Sequence, residues 1–89
     1  MISPQTAAAS ATIKLTKKDL PVTFYVIGAL DTDEEIAVKY HDGSDWRQAN
    51  VDGYDLKLSS TGQLLDWWVP LTLKIEKPLT DAAVGVGVA

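Results

Sequence analysis

His41 is the one histidine of this chain, and cysteine is absent. A histidine-dependent nucleophile pair or triad would therefore have to be built on His41 alone. It falls on the outward phase of Glu35-Ile36-Ala37-Val38-Lys39-Tyr40-His41, beside Asp42-Gly43. A solvated surface histidine is the expected role, and no catalytic residue is assigned. Disulfides and thiolate metal sites are excluded with the cysteines, and the redox compartment is unreadable.

Carboxylates are the next candidates. Asp31, Asp33, Glu34 and Glu35 form an acidic run, and Asp31-Thr32-Asp33 opens like an EF-hand loop. The sixth position is Ile36, where that loop needs glycine, and the twelfth is Asp42 rather than a bidentate glutamate. A weak calcium site would have to borrow Asp42 or Asp45. The expectation is a solvated inter-strand loop, with no metal and no cofactor. A glycosidase pair needs a cleft that raises one carboxyl pKa, and a domain this small has little room for one.

Aromatic residues offer contact chemistry instead. Trp67 and Trp68 are adjacent, so in a strand they face opposite sides. Trp67 shares its phase with Leu65 and Val69, which suits a core. Trp68 shares its phase with Leu64, Asp66 and Pro70, a mixed and more exposed face. Trp46 sits in a short segment between two turns. Trp68 and Trp46 are therefore candidate interface residues, since interfaces are enriched in tryptophan. Stacking on a sugar ring is the alternative use.

The elements that must carry these residues are short. Alternating or apolar runs occur at Ala11–Thr16, Val22–Ile27, Glu35–His41, Ser44–Asn50, Tyr54–Leu58, Leu64–Val69 and Leu71–Glu76. Asp42-Gly43 and Asp52-Gly53 read as hairpin turns, and Lys17-Lys18-Asp19 as a solvated turn. No helical period is convincing. The pattern is all-β: an antiparallel β-sandwich or small barrel of about seven or eight short strands.

The closing run Ala83-Val84-Gly85-Val86-Gly87-Val88 alternates most plainly. Its valines point one way, while Ala83, Gly85 and Gly87 point the other. A bare glycine face is useful only where something packs close to the backbone, so Gly85 and Gly87 are candidate interface positions. Residues 1–11 lack periodicity and read as a flexible N-terminal arm, with residues 12–89 as the single sandwich domain. Ser3, Pro4 and Gln5 are the arm's candidate contact residues.

Charge and size narrow the partners. At 89 residues, the chain should retain roughly 5,000 Å² of surface from about 14,000 Å² unfolded, enough for one small core. A net charge of −4 argues against nucleic acid, and Lys14, Lys17 and Lys18 form the one basic cluster. No stretch approaches a membrane span, and the first residues lack the basic start and apolar centre of a signal peptide. No nucleic-acid or membrane partner is expected.

From Thr23 to Ala89 the chain resembles a loose class of small bacteriophage virion proteins. The resemblance is carried by Phe24-Tyr25-Val26-Ile27-Gly28, by Ile36-Ala37-Val38-Lys39-Tyr40 followed by Asp42-Gly43-Ser44-Asp45-Trp46, by Leu56-Lys57-Leu58, by Leu73-Lys74-Ile75-Glu76-Lys77, and by Ala83-Val84-Gly85-Val86. It implies a β-sandwich that coats a capsid or belongs to the tail, with no catalytic residues to carry over. The expected function is that of a non-enzymatic capsid decoration or cement protein on the outside of the shell, made in the host cytoplasm and found in the virion. Its partners would be the major capsid protein or other virion proteins, and further copies of itself in a homo-oligomer. The alternatives are a tail, neck or fibre component, or a carbohydrate-binding adhesin module.

Overall fold

The computed structural model describes the backbone of residues 1–89 and every side chain except that of Val51. Eleven strands follow one another: β1 (Ile2–Gln5), β2 (Ala9–Lys14), β3 (Val22–Ile27), β4 (Ile36–His41), β5 (Trp46–Gln48), β6 (Asn50–Val51), β7 (Tyr54–Asp55), β8 (Lys57–Leu58), β9 (Leu64–Trp67), β10 (Thr72–Lys77) and β11 (Val84–Val88). One 3-10 turn, Lys17–Asp19, joins β2 to β3. The Asp19 carboxylate closes that turn, accepting the Thr16 N–H at 2.9 Å and the Thr16 hydroxyl at 2.8 Å.

The strands form a sandwich of two antiparallel sheets. The first sheet has the order β1-β11-β3-β9, and the second β2-β10-β4-β5, with β8 also paired to β4. Early strands pair with late ones: β1 with β11, β2 with β10, β3 with both β11 and β9. Consecutive strands β1 to β4 alternate between sheets, as do β9 to β11. This rolled-up arrangement is a jelly roll.

Period-two patterning decides which side chains meet in the middle. Val22, Phe24, Val26, Val84 and Val86 from the first sheet face Ile36, Val38, Leu73 and Ile75 from the second, and all are buried. The folded surface of 5267 Å² agrees with the value expected for this mass.

Residues 1–11 are not a free arm. They supply β1 and the first half of β2, and Ile2 is a core residue at 4% exposure. The reason lies in β11. Opposite Gly85 the edge strand bulges, so that Ser3 and Pro4 sit between the pairs Ile2↔Val86 and Gln5↔Val84. A Cβ on Gly85 would run into the backbone of Ile2, Ser3 and Pro4. Proline has no N–H for a ladder, and an edge bulge is one of the few strand positions that accept it.

Two local expectations also change. Asp42-Gly43 is not a two-residue turn but the first half of a four-residue loop, because His41 pairs with Trp46 and the Asp42 N–H donates to the Asp45 carbonyl at 3.0 Å. Tyr54–Leu58 divides into β7, which pairs with β6, and β8, which pairs with β4. Asp52-Gly53 does form the tight turn expected, both residues having positive φ, 54° and 84°.

Candidate functional site

The sandwich has two outer faces, and their chemistry differs. On the second sheet the outward positions are Ser10, Thr12 and Lys14 of β2, Thr72, Lys74 and Glu76 of β10, Ala37, Lys39 and His41 of β4, and Trp46 and Gln48 of β5. This face is polar. Lys39 bridges Glu76, and the Lys74 ammonium sits 4.6 Å from the centre of the Trp46 ring. Trp46 is half-buried, its ring edge-on to His41 at 5.1 Å between centroids. The His41 Nδ1 accepts the Gly43 N–H at 3.1 Å. His41 is thus engaged in shaping its loop.

The outer face of the first sheet carries fewer charges. Its outward positions are Thr23, Tyr25 and Ile27 of β3, Leu64 and Asp66 of β9, and Gly85 and Gly87 of β11. Gly87 lies directly opposite Tyr25, and the tyrosine ring covers the space a Cβ would take. Gly85 is roofed by the bulge of β1. The close approach that the glycines imply is therefore met from within the chain at both positions. Leu64, beside Tyr25, is 68% exposed. The one carboxylate of the face, Asp66, accepts the Thr23 hydroxyl at 2.8 Å.

Trp68 follows directly after β9. The Trp67 indole N–H donates to the Val69 carbonyl at 2.6 Å, and the Leu71 N–H to the same oxygen at 2.9 Å. These bonds curl the chain after β9 and hold Trp67 against the core while Trp68 stays outside at 66% exposure. Covering the open part of Trp68 would contribute about 3 kcal/mol at the usual area coefficient. Of the other candidates, Ser3 and Pro4 are exposed on the bulge, and the Gln5 amide donates to the Ser3 carbonyl at 3.2 Å. Trp46 lies on β5 of the second sheet, whereas Trp68 follows directly after β9 of the first.

The acidic loop is rearranged relative to expectation. Asp31 and Glu34 meet Asp81 of the β10–β11 loop, one carboxylate oxygen from each lying within 4.8 Å of the others. Asp81 is too distant in sequence from the acidic run for spacing to reveal it. Glu34 is nearly buried and uses both oxygens on backbone: Oε1 accepts the Asp31 N–H at 3.0 Å and Oε2 the Asp81 N–H at 2.9 Å. A hydrogen bond to Asp81, with the negative charge of Glu34 and Asp81, pushes the Asp31 carboxyl up from its ordinary value. Asp42 takes no part in that trio. It accepts the Ser44 and Asp45 N–H groups, each at 2.8 Å, and the Arg47 guanidinium at 2.7 Å, which together hold its carboxyl well below the usual range.

The described residues line small surface depressions. One of about 130 Å³ is lined by Glu35, Ala37, Gln48, Asp55 and Lys57, and one of about 300 Å³ by Ala8, Ala9, Ser10, Glu76 and Lys77. No family model, curated protein or solved structure matches the chain.

Proposed function

We propose that this chain is a non-enzymatic structural protein of a phage virion, a decoration or cement protein that docks on the outside of the capsid. The contrast between the two outer faces carries the reading: the first sheet turns Tyr25, Ile27 and the exposed Leu64 outward, with the exposed Trp68 just after its edge strand, while the other turns out charged and polar side chains. An exposed apolar patch beside polar surface marks an interaction site. Gly85 and Gly87 project no side chain on that face; β1 backbone and the Tyr25 ring fill the space beside them. The jelly roll is an architecture used by viral capsid and lectin domains, which supports the reading by analogy of fold. Trp46 on β5 of the second sheet and Trp68 after β9 of the first are not neighbours on one strand pair, which weighs against a sugar-stacking module built on both.

Co-sedimentation tests the proposal. The purified chain, mixed with empty shells of the major capsid protein encoded in the same genome, is expected to pellet and to saturate at a fixed ratio to the shell subunit. Trp68→Ser is expected to stay in the supernatant. Equal recovery of wild type and Trp68→Ser in the supernatant at all shell concentrations would overturn the reading.

A further inference from the structure

We propose that the second sheet continues from one copy of this chain into the next, with β2 of one copy pairing against β5 of its neighbour, head to tail. These two edges are a different surface from the docking face above.

Sheet edges carry unpaired backbone groups, and natural edges are usually blunted by proline, bulges, charge or brevity. Three edges here follow that rule. β1 carries both Pro4 and a bulge. β9 is four residues long with Asp66 among them, and β5 is three residues long. β2 is the least blunted: it is six residues, Ala9–Lys14, paired to β10 in unbroken register, with neither proline nor bulge, and its one charge, Lys14, stands at its last position.

The ladder phase shows which groups are free. The Leu15 N–H donates to the Leu71 carbonyl directly opposite at 3.2 Å, so Ile13, Ala11 and Ala9 also direct their backbone groups toward β10. Those of Ser10, Thr12 and Lys14 point away, to the open edge. Across the sheet, the Ala49 N–H donates to the Val38 carbonyl at 3.0 Å, which by the same phase turns the backbone of Trp46 and Gln48 outward. The core is also open beside β2. Its inward side chains Ala9, Ala11 and Ile13 are half-buried, whereas Leu73 and Ile75 on the adjoining strand are fully buried.

Charge selects the partner. The β2 edge and the turn after it hold Lys14, Lys17 and Lys18 against Asp19. The opposite edge and its hairpins hold Asp42, Asp45, Asp52 and Asp55 against Arg47 and Lys57. A two-fold pairing of β2 with β2 would be antiparallel and would set each Lys14 beside the Ala9–Ser10 end of its partner strand, which carries no carboxylate to meet it. Head-to-tail pairing sets lysines beside aspartates, and such a heterologous contact closes into a ring or extends as an array.

Solution mass measured by light scattering and small-angle scattering, over a wide concentration range and at two salt concentrations, tests this. The wild type is expected to associate, and to do so about tenfold more weakly when salt rises from ~0.05 M to ~0.5 M. Thr12→Pro removes an outward N–H without touching the β10 ladder, and is expected to be monomeric with an unchanged circular dichroism spectrum. Asp45→Lys with Asp55→Lys alters two carboxylates that accept none of the hydrogen bonds among the described residues, and is expected to be monomeric alone. So is Lys14→Glu with Lys17→Glu and Lys18→Glu, and mixing the two charge variants restores association. A wild type that is monomeric up to ~1 mM overturns the proposal. Association unaffected by Thr12→Pro overturns it as well. Full association of Asp45→Lys with Asp55→Lys alone would instead indicate a two-fold contact through β2 and would overturn the head-to-tail arrangement.

Discussion

The Lys77 ammonium donates to the carbonyl of Ala7 at 2.8 Å, joining residues 70 positions apart. Lys77 is 3% exposed, and its other partners are the Pro78 carbonyl and the Thr80 hydroxyl, each at 2.9 Å. The Thr80 N–H donates to the Thr6 carbonyl, also at 2.9 Å. This knot fastens the β1–β2 turn to the β10–β11 loop. Lys77→Met keeps the aliphatic stem but strands three acceptors, and is expected to cost about 2–3 kcal/mol, lowering Tm by roughly 8–20 °C in a domain of this size. Thermal denaturation followed by circular dichroism checks it. Deleting residues 1–11 is expected to abolish cooperative unfolding, because it removes Ile2 from the core, the partner of β11 and half of β2.

Gly85 and Gly87 separate by what covers them. An added Cβ at Gly85 meets backbone of β1, which cannot move without leaving the sheet; at Gly87 it meets the end of the Tyr25 ring, which can swing out. Gly85→Ala is expected to destabilise by about 2–3 kcal/mol, and Gly87→Ala by about half of that. Tyr25→Ala should make Gly87→Ala close to neutral while leaving Gly85→Ala unrelieved. Urea titrations of the single and double variants give the coupling.

The two adjacent tryptophans should behave oppositely. Trp67→Ala removes a ring packed on the core opposite Val22, and is expected to cost about 3 kcal/mol. Trp68→Ser is expected to change stability by less than about 0.5 kcal/mol and to affect only docking. Denaturation midpoints measured alongside shell pelleting separate the two effects.

Acid titration should reveal two carboxylates of opposite sign. Asp31 is raised from 3.8, so the folded state holds its proton more tightly than the unfolded state does. Stability from this group is greatest below 3.8, falls as pH rises through the folded value, and stays reduced at neutrality. Asp31→Asn is therefore expected to raise Tm at pH 7, with the gain vanishing at about pH 3. Asp42 is lowered from 3.8 by the Asp45 N–H first, then by Arg47 and the Ser44 N–H. Its contribution is present above 3.8 and is lost as pH falls toward the folded value. Asp42→Asn is expected to lower Tm at pH 7, and the deficit should shrink only in acid. Melting curves across this range, taken for both variants, check the signs.

The sequence alone determined the all-β class and the inward faces of the longer strands. Alternation at Ile36-Ala37-Val38 and Leu73-Lys74-Ile75 is a local property, and burial of those residues followed from it. The phases of Trp67 and Trp68, and the need for a close neighbour at Gly85 and Gly87, were legible for the same reason. What only the tertiary structure decided was which neighbour. Strand pairing couples residues far apart in the chain, and a glycine face announces close packing without naming its source. Residues 1–11 carry no strong alternation, because Pro4 and the bulge break the period, so the edge strand that fills that space looked like an arm. The meeting of Asp31 and Glu34 with Asp81, the carbonyl partners of Lys77, and the opposite charges on the two edges of the second sheet arise from the roll-up of the chain, which no local pattern encodes.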